Sequence, residues 1–219
     1  MRVQQSRNTE TKAGSASAAT ARRRGPKPNP DTPRNLLRSG VRLLHAGGYS
    51  ATGIQDIVAA AEVPKGSFYN HFPSKEAFGV AAVDLYFGEA LPTLKAELGD
   101  TRVPPLDRLR AYFRSRTQRL KRAGFARGCM LGNLSLEVAD HSPAIRVRLS
   151  AHFETWSRLF ESCIAEAQAT GGVVNPLPAA LLANHLLDGW EGALLRMRVE
   201  RSTEPLERFQ TVTFRALLV

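Results

Sequence analysis

Residues 52–75, TGIQDIVAAAEVPKGSFYNHFPSK, constrain the fold of this 219-residue chain most strongly, because they predict two short helices joined by a tight turn. The first helix is predicted to begin at Thr52, whose hydroxyl would cap its free amides. Its apolar stripe consists of Ile54, Ile57, Val58 and Ala61. The second helix is predicted from Pro64 or Lys65 to about His71. A helix this short is not stable alone, so it must pack against neighbouring helices.

The second short helix has the composition of a DNA-reading element. At its start, Lys65, Gly66 and Ser67 let backbone amides and short side chains approach phosphates and base edges in a major groove. Phe68 and Phe72, four residues apart, are expected to fix the helix to its neighbours. The side chains predicted to face outward are Tyr69, Asn70 and His71. The pattern therefore predicts a helix-turn-helix.

This stretch resembles the signature of the TetR family of bacterial transcriptional repressors. The signature has a D-I pair, an A-A-x-V turn, then K-G-[ST]-[FL]-Y-x-[HY]-F and a polar K-x-x. It stands here as Asp56, Ile57, Ala60, Ala61, Val63, Lys65, Gly66, Ser67, Phe68, Tyr69, His71, Phe72 and Lys75. Pro64 departs from the Ser or Thr of most members, so one side-chain cap worth about 1 kcal/mol is missing. The resemblance implies that Thr52, Tyr69 and Lys75 anchor phosphates.

Positive charge concentrates at the amino-terminal end of the chain. Residues 1–32 hold seven Lys or Arg against two acids, and residues 33–75 hold five against two. The remaining 144 residues contribute only +2 of the formal net charge of +10. Such a field supplies sequence-independent, salt-sensitive affinity for phosphates. The charge lies where the DNA-reading residues are predicted, which favours double-stranded DNA as the partner.

Residues 1–32 are predicted to form a flexible basic tail, because a segment rich in Ser, Thr, Ala and Gln cannot bury a core. It ends in RRRGPKPNPDT. Arg22, Arg23 and Arg24 resemble the minor-groove arms that some DNA-binding proteins append to a helix-turn-helix. A plain solvated tail explains the composition equally well, and the sequence leaves both interpretations open.

The rest of the chain is predicted to be all-α. Residues 33–80 would form a three-helix DNA-binding domain, beginning with Thr32 and Pro33 as an N-cap and first-turn pair. Residues 81–219 would form a helical bundle for ligand binding and dimerisation. Ser74 is predicted to cap a long helix that Pro92 kinks or breaks. Further helices are predicted over about 104–123, 129–139, 143–170, 178–201 and 205–218.

The last two predicted helices carry more apolar residues than one core-facing side requires. These are Leu181, Leu182, Leu186, Leu194, Leu195, Leu206, Phe209, Val212, Phe214, Leu217 and Leu218. A palindromic operator needs two readers, so these helices are candidates for a four-helix homodimer interface. The alternative is that all of them fill the core of one protomer.

Residues 127–143, RGCMLGNLSLEVADHSP, contain a candidate nucleophile. Cys129 is predicted at a helix start near Lys121, Arg122 and Arg127, which would lower the pKa of its thiol. The alternative is a small buried hydrophobe. The segment and Gly189, Trp190, Glu191, Gly192 and Ala193 resemble a TetR branch that senses N-ethylmaleimide or acrylate. The resemblance implies a small-molecule effector that releases the repressor, an electrophile or an unsaturated acid.

A ligand cavity in the bundle would need apolar walls and a few polar groups. The polar candidates are Asn133, Glu137, His152, His185 and Glu191, and the apolar ones are Tyr112, Phe113, Trp156 and Trp190. A lone histidine on a helix is more often structural than a ligand contact. The histidines lack clustered metal-ligand spacing, and the sequence indicates neither a metal nor a cofactor.

The remaining sequence features predict a cytoplasmic protein that is not an enzyme. No run approaches the roughly 18 apolar residues of a membrane span, and no apolar segment follows the first basic residues. Two cysteines, Cys129 and Cys163, favour a reducing compartment, with Cys163 predicted to be core. A thiol-dependent enzyme, pairing Cys129 with His152 or His185, lacks accompanying catalytic motifs. A sequence-independent DNA binder is a further alternative, against which the outward-facing Tyr69, Asn70 and His71 argue.

Overall fold

The computed structural model describes residues 30–219, and within that range the chain contains nine α-helices and no strand. They are α1 Thr32–Gly47, α2 Ile54–Ala60, α3 Lys65–Tyr69, α4 Lys75–Leu98, α5 Pro105–Arg122, α6 Met130–Val138, α7 Pro143–Ala169, α8 Ala179–Glu200 and α9 Glu204–Val212. A π-helical turn, Thr213–Leu217, follows α9. The all-α prediction is confirmed. Arg22, Arg23 and Arg24 lie outside the described residues.

The first three helices and the start of α4 share a small aromatic core. The rings of Phe68, Phe72 and Phe78 lie 4.9 to 5.5 Å apart, centroid to centroid. Phe68 and Phe78 are fully buried. Gly40 of α1 lies against the Phe78 ring, where any Cβ would overlap the ring atoms. The five residues of α3 are therefore held by aromatic packing rather than by their own helical hydrogen bonds.

Of the three residues predicted to cap helices, only Ser74 occupies the N-cap position in the structure. Ser74 caps α4 as predicted, since its hydroxyl accepts the Ala77 amide at 3.0 Å. Thr52 does not cap α2, because its hydroxyl donates to the Gly48 carbonyl at 2.7 Å and its side chain is buried. The Asp56 carboxylate instead accepts the Gly53 amide at 2.8 Å, and α2 begins at Ile54. At α1, Asp31 rather than Thr32 occupies the N-cap position.

Helix α4 is continuous through Pro92, which excludes a break, the second of the two outcomes predicted there. Pro92 and Gly88 are both exposed, and solvent can therefore satisfy the Gly88 carbonyl that lacks its usual donor. The same helix crosses residue 80, where the DNA-binding domain was predicted to end. One rigid element thus joins the amino-terminal helices to the bundle.

The carboxy-terminal bundle is organised around α7, which packs against α4, α5, α6 and α8. Its centre is Phe113 of α5, whose ring lies 5.0 to 5.3 Å from those of Phe160, Trp190 and Phe209. The short α6 lies between α7 and the amino-terminal helices and also contacts α1. Among the described helices, none is long and apolar enough to cross a membrane.

Most apolar residues of the last two helices fill the protomer core. The buried ones are Leu182, Leu186, Leu194, Leu206, Phe214 and Leu218, and Phe209 and Leu217 are partly buried. Leu181, Leu195 and Val212 remain exposed. The fold of one chain therefore uses the larger part of this set, and a dimer interface on the remaining exposed residues stays a prediction.

Candidate functional site

Helix α3 presents a polar row to solvent while its apolar side is anchored. Phe68 is fully buried, whereas Lys65, Asn70 and His71 are exposed and Tyr69 is 54% exposed. Ser67 is partly exposed. A Cβ at Gly66 would meet no atom within 4 Å, so the start of the helix is open to close approach. The prediction that Tyr69, Asn70 and His71 face outward is confirmed.

Two residues predicted to anchor phosphates take part in internal contacts. The Lys75 ammonium donates to the Tyr49 carbonyl at 2.7 Å and lies 4.5 Å from the centre of the Tyr49 ring. Thr52 is 5% exposed, with its hydroxyl donated to Gly48. Both side chains therefore brace the turn between α1 and α2, and their phosphate contacts stay predictions.

An inner cavity of about 420 Å³ lies among α1, α4, α5, α6, α7 and α8. Its lining includes His45, Tyr86, Leu94, Tyr112, Arg116, Cys129, Trp156 and Trp190. Trp156 is 8% exposed, and its indole N–H has no hydrogen-bond partner among the described residues. An apolar cavity with a few polar groups is the usual form of a small-molecule site. The indole N–H is buried beside the Tyr112 hydroxyl, and both residues form part of the cavity wall.

Cys129 lies at the N-cap position of α6 and is 7% exposed. Burial, followed by the nearby Glu191 carboxyl, raises the pKa of its thiol well above the ordinary value. The Gly132 and Leu131 amides act in the opposite direction but are outweighed. The prediction of a lowered pKa was therefore wrong, because it counted the helix start and the cations but not the desolvation.

Glu191 of α8 lies against Cys129 and the first turn of α6. Burial raises the pKa of its carboxyl to about 7, and contact with the Cys129 thiol partly opposes that rise. Its Oε1 atom is buried without a hydrogen-bond partner among the described residues. Gly132 makes this approach possible, since any Cβ there would overlap Glu191 Oε2. The result is a buried thiol and carboxyl in contact.

A groove of about 630 Å³ lies on the other side of Cys129, between α6, α7 and α8. Asn133, Phe153, Glu154, Leu195 and Arg198 line it together with Glu191. Cys129 lines both the groove and the inner cavity. The thiol thus lies between two neighbouring spaces, and both of them reach exposed residues, Arg119 in the inner cavity and Leu195 in the groove.

The loop before Cys129 has an unusual backbone. Positive φ angles occur at Gly124 (66°), Phe125 (60°), Arg127 (72°) and Gly128 (60°). Asn133 Nδ2 donates to the Arg127 carbonyl at 2.7 Å, and Arg198 donates to Asn133 Oδ1 at 2.7 Å. Non-glycine residues in the left-handed region persist only where surrounding contacts hold them. These contacts hold Cys129 at the N-terminal end of α6.

His45, at the end of α1, reaches the same loop. Its Nε2 donates to the Gly128 carbonyl at 3.0 Å, and its ring meets that of Tyr86 edge-on. Burial lowers the pKa of His45, and Arg127 and Arg198 act in the same direction, which favours the neutral ring. No local pattern singles out His45 or Tyr86, because each lies more than 40 residues along the chain from Cys129.

Glu137 lines neither space, contrary to its prediction as a cavity residue. Its carboxylate accepts the backbone amides of Tyr49 at 2.7 Å and Ser50 at 2.5 Å. Partial burial opposes ionisation, but these amides outweigh it and the pKa of Glu137 is lowered. Gly48 permits the approach, with a φ of 88° and no Cβ to meet the carboxylate. Helix α6 is thereby bonded to the α1–α2 turn.

His185, His152 and Cys163 lie in three different environments. His185 is exposed on α8 and lines neither space, so its placement in the cavity was wrong. His152 pairs with Asp84 at 2.7 Å, which makes it structural. Cys163 is core, as predicted: its thiol donates to the Leu98 carbonyl, and burial raises its pKa to about 11. Within residues 30–219, no group of three possible ligands could hold a metal ion.

A helix-turn-helix with an exposed reading row, joined by one long helix to a bundle with an inner cavity, defines a ligand-sensing class of DNA-binding regulator. Residues 36–82 match the model of the bacterial regulatory proteins of the tetR family. Residues 105–213 match that of the tetracyclin repressor-like C-terminal domain. The chain belongs to the TetR family of transcriptional regulators.

Several characterised relatives align over most of the chain. The transcriptional repressor DhaR of a Mycobacterium species is 44% identical over 185 residues, or 84% of this chain and 91% of DhaR. The transcriptional regulator AcuR of Cereibacter sphaeroides is 38% identical, over 88% of this chain and 89% of AcuR. The repressor NemR of Escherichia coli is 32% identical, over 81% and 89% respectively.

Solved structures agree with the fold. A regulatory protein TetR from Rhodobacter sphaeroides superimposes with a TM-score of 0.79 at 37% identity, covering 86% of this chain and all of that one. The reduced form of Escherichia coli NemR gives a TM-score of 0.76 at 30% identity, covering 83% and 95%. The relatives are transcriptional regulators, which confirms the predictions of a TetR-like regulator rather than an enzyme and of the branch that resembles NemR.

Proposed function

We propose that this protein is a cytoplasmic transcriptional repressor that binds a palindromic operator as a homodimer and leaves it when a small electrophile enters the inner cavity. One observation carries the proposal. Helix α6 touches the cavity through Cys129 at its first turn and the DNA-binding helices through Glu137 near its end. A change at the cavity therefore has a direct physical route to the reading helix.

On the operator, the polar row of α3 would enter the major groove. Lys65, Ser67, Asn70 and His71 would lie nearest the bases, and Gly66 would allow close approach. Tyr69 would hold a phosphate, as would Thr52 and Lys75 if they leave their internal contacts. In a homodimer, two such rows would read half-sites roughly 34 to 36 Å apart, or a multiple of that spacing.

The exposed face of α8 is the dimer surface that we propose. Leu181, Leu195 and Val199 are 54%, 43% and 84% exposed and lie on one side of the helix, together with Gly192. A Cβ at Gly192 would meet no atom within 4 Å, which leaves room for a partner helix to approach closely. Val212 of α9, 63% exposed, extends the patch. Exposed apolar faces of this kind mark interaction surfaces.

The inner cavity is proposed to take an electrophile that adds to Cys129. The thiol lines the cavity together with the Trp156 and Tyr112 side chains. The resemblance to electrophile-sensing and acrylate-sensing regulators supports the same class of ligand. A ligand shifts an equilibrium only by its differential affinity for two states. Here the adduct would favour the arrangement in which α6 no longer holds the α1–α2 turn in its operator-binding position.

The DNA part of the proposal is tested by fluorescence anisotropy on DNA from the gene's own upstream region, with competitor DNA present. We expect selective binding, with two protomers per site in sedimentation. Leu195→Glu should weaken self-association and operator binding together, while Val147→Glu, an exposed apolar residue on α7, should leave both unchanged. Binding that falls with salt but ignores sequence would identify a general DNA binder instead.

The sensing part is tested by adding N-ethylmaleimide to the preformed complex. We expect release for wild type and for Cys163→Ser, and none for Cys129→Ser. Release that persists in Cys129→Ser would make the effector noncovalent. Steady product formation by the purified protein, lost in Cys129→Ser, would replace the proposal with a thiol-dependent enzyme.

A further inference from the structure

The thiol of Cys129 is poorly prepared to react alone. It is buried, and its pKa is raised well above the ordinary thiol value. The thiolate is the nucleophilic form, and only a very small fraction of the sulfur would be ionised near neutral pH. A thiol in this environment needs a neighbouring group that removes its proton as the new bond forms.

Glu191 is the group that contacts the thiol. Its carboxyl lies against Cys129, is admitted by the missing side chain at Gly132, and has one oxygen, Oε1, that is buried without a partner. Its pKa of about 7 places ionised and neutral forms together near neutral pH, which is the condition for an effective general base. The surrounding titratable groups are Tyr86 of α4, Tyr112 of α5, Glu154 of α7, and Asp188 and Arg198 of α8.

We propose that Glu191 is the proton acceptor that activates Cys129, an inference that rests on the covalent sensing proposed above. An α,β-unsaturated carbonyl compound enters the inner cavity, which Cys129 lines. The thiol proton passes to Glu191 while the sulfur bonds to the β-carbon. The carbon–carbon π pair moves toward the carbonyl oxygen. The α-carbon then takes a proton from solvent, and Glu191 releases the thiol proton to solvent.

The net reaction is addition across one double bond. One S–H bond and one carbon–carbon π bond are lost, one S–C and one C–H bond are formed, and nothing leaves. No oxidant or reductant takes part. Glu191 ends the reaction in its starting state. Its position on the groove side of Cys129 leaves the cavity side of the sulfur free for the electrophile.

The alternative role of Glu191 is purely electrostatic, and it predicts the opposite sign. A carboxylate beside a thiol raises the thiol pKa, so replacing it with an amide would make the thiolate easier to form and speed alkylation. Proton acceptance instead predicts that the amide slows alkylation. The sign of one rate change therefore separates the two roles.

The test measures alkylation of the full-length protein by N-ethylmaleimide, followed by intact mass in a Cys163→Ser background where Cys129 is the only thiol. Between pH 6 and 8.5, the rate with Glu191 present should level off above about pH 7. Glu191→Gln should react about 10²-fold more slowly at pH 7.5, with a rate that keeps rising with pH. Glu154→Gln, on the same groove, should behave as the parent does.

Glu191→Asp keeps a carboxyl group one methylene further away and serves as the rescue variant. We expect an intermediate rate that levels off with pH as the parent rate does. If Glu191→Gln reacts as fast as the parent or faster, the proposal is overturned and Glu191 is an electrostatic neighbour. Because these rates are measured without DNA, that result leaves the repressor proposal intact. Alkylated protein that still binds its operator would overturn the covalent-sensing proposal and leave the role of Glu191 standing.

Discussion

The DNA-binding helices and the inner cavity are built in opposite ways. The reading surface comes from one contiguous segment, in which Phe68 and Phe72 are buried and their neighbours face solvent. The cavity draws its lining from α1, α4, α5, α6, α7 and α8, whose residues lie far apart in the chain. A contiguous motif preserves one surface, whereas a dispersed cavity can change its chemistry residue by residue while the fold stays the same. This difference is how one family can keep its DNA-binding mode and vary its ligands.

Loss of one ring from the small aromatic core should destabilise the reading region more than any other change predicted below. Phe68→Ala removes a fully buried ring that touches Phe72 and Phe78, and should cost about 3–5 kcal/mol of unfolding free energy. Hydrogen exchange should show the loss concentrated in α1 to α3, and operator binding should disappear. Phe153→Ala, a partly buried groove residue, is the matched control. Retained operator affinity in Phe68→Ala would contradict this dependence.

The cavity region should lose stability as pH rises, because of Glu191, whereas the DNA-binding helices should not. Because burial raises the pKa of Glu191 to about 7, the folded state keeps a proton that the unfolded state has already released. Stability from this group is full below the ordinary carboxyl value and is lost as pH rises through about 7. From pH 5 to 8, wild type should lose roughly 1–3 kcal/mol more than Glu191→Gln in chemical denaturation. If wild type and Glu191→Gln lose stability in parallel between pH 5 and 8, folding does not raise the pKa of Glu191.

A third prediction addresses sequence reading by α3. Asn70 is exposed in the reading row, and Asn70→Ala should cost about 1–3 kcal/mol of operator binding if it contacts a base. Affinity for unrelated DNA should not change. Asn35→Ala, an exposed position on α1, is the control and should alter neither affinity. Equal weakening on operator and unrelated DNA would assign Asn70 to the phosphates instead.

The smallest expected effect lies at the junction between the two regions. Glu137→Gln weakens the bonds to the Tyr49 and Ser50 amides and should cost about 1–2 kcal/mol of stability at pH 7. Because the folded pKa is lowered, this contribution is present above the ordinary carboxyl value and disappears as pH falls through the folded one. Melting temperatures of wild type and Glu137→Gln should therefore converge in acid. Glu207→Gln, exposed on α9, should follow wild type throughout.

The sequence predicted the reading region well because its information is local. Aromatic spacing placed Phe68 inside and Tyr69 outside, and periodicity with Gly and Pro punctuation located the helices to within a few residues. Thr52 was misassigned because its hydroxyl has a competing acceptor, Gly48, that becomes close only when the turn forms. The sequence left open whether Pro92 kinks or breaks α4, because a break depends on whether the carbonyl that loses its donor can reach water.

The cavity could be predicted only in part. Cys129, Trp156 and Trp190 were selected for their chemistry and do line it, whereas Glu137 and His185 were selected on the same grounds and do not. Composition does not say which way a helix faces. The raised pKa of the Cys129 thiol was missed for a related reason, since desolvation is a property of the assembled bundle and not of neighbouring residues in the chain.

Operator affinity before and after full alkylation of Cys129 would show whether the cavity and the reading helix are coupled through α6. The measurement uses the Cys163→Ser background, with and without Glu137→Gln. Alkylation should weaken operator binding by about 10-fold or more, and by less when Glu137, the contact between α6 and the turn, is replaced. Equal affinity of the alkylated and unmodified proteins would contradict the coupling.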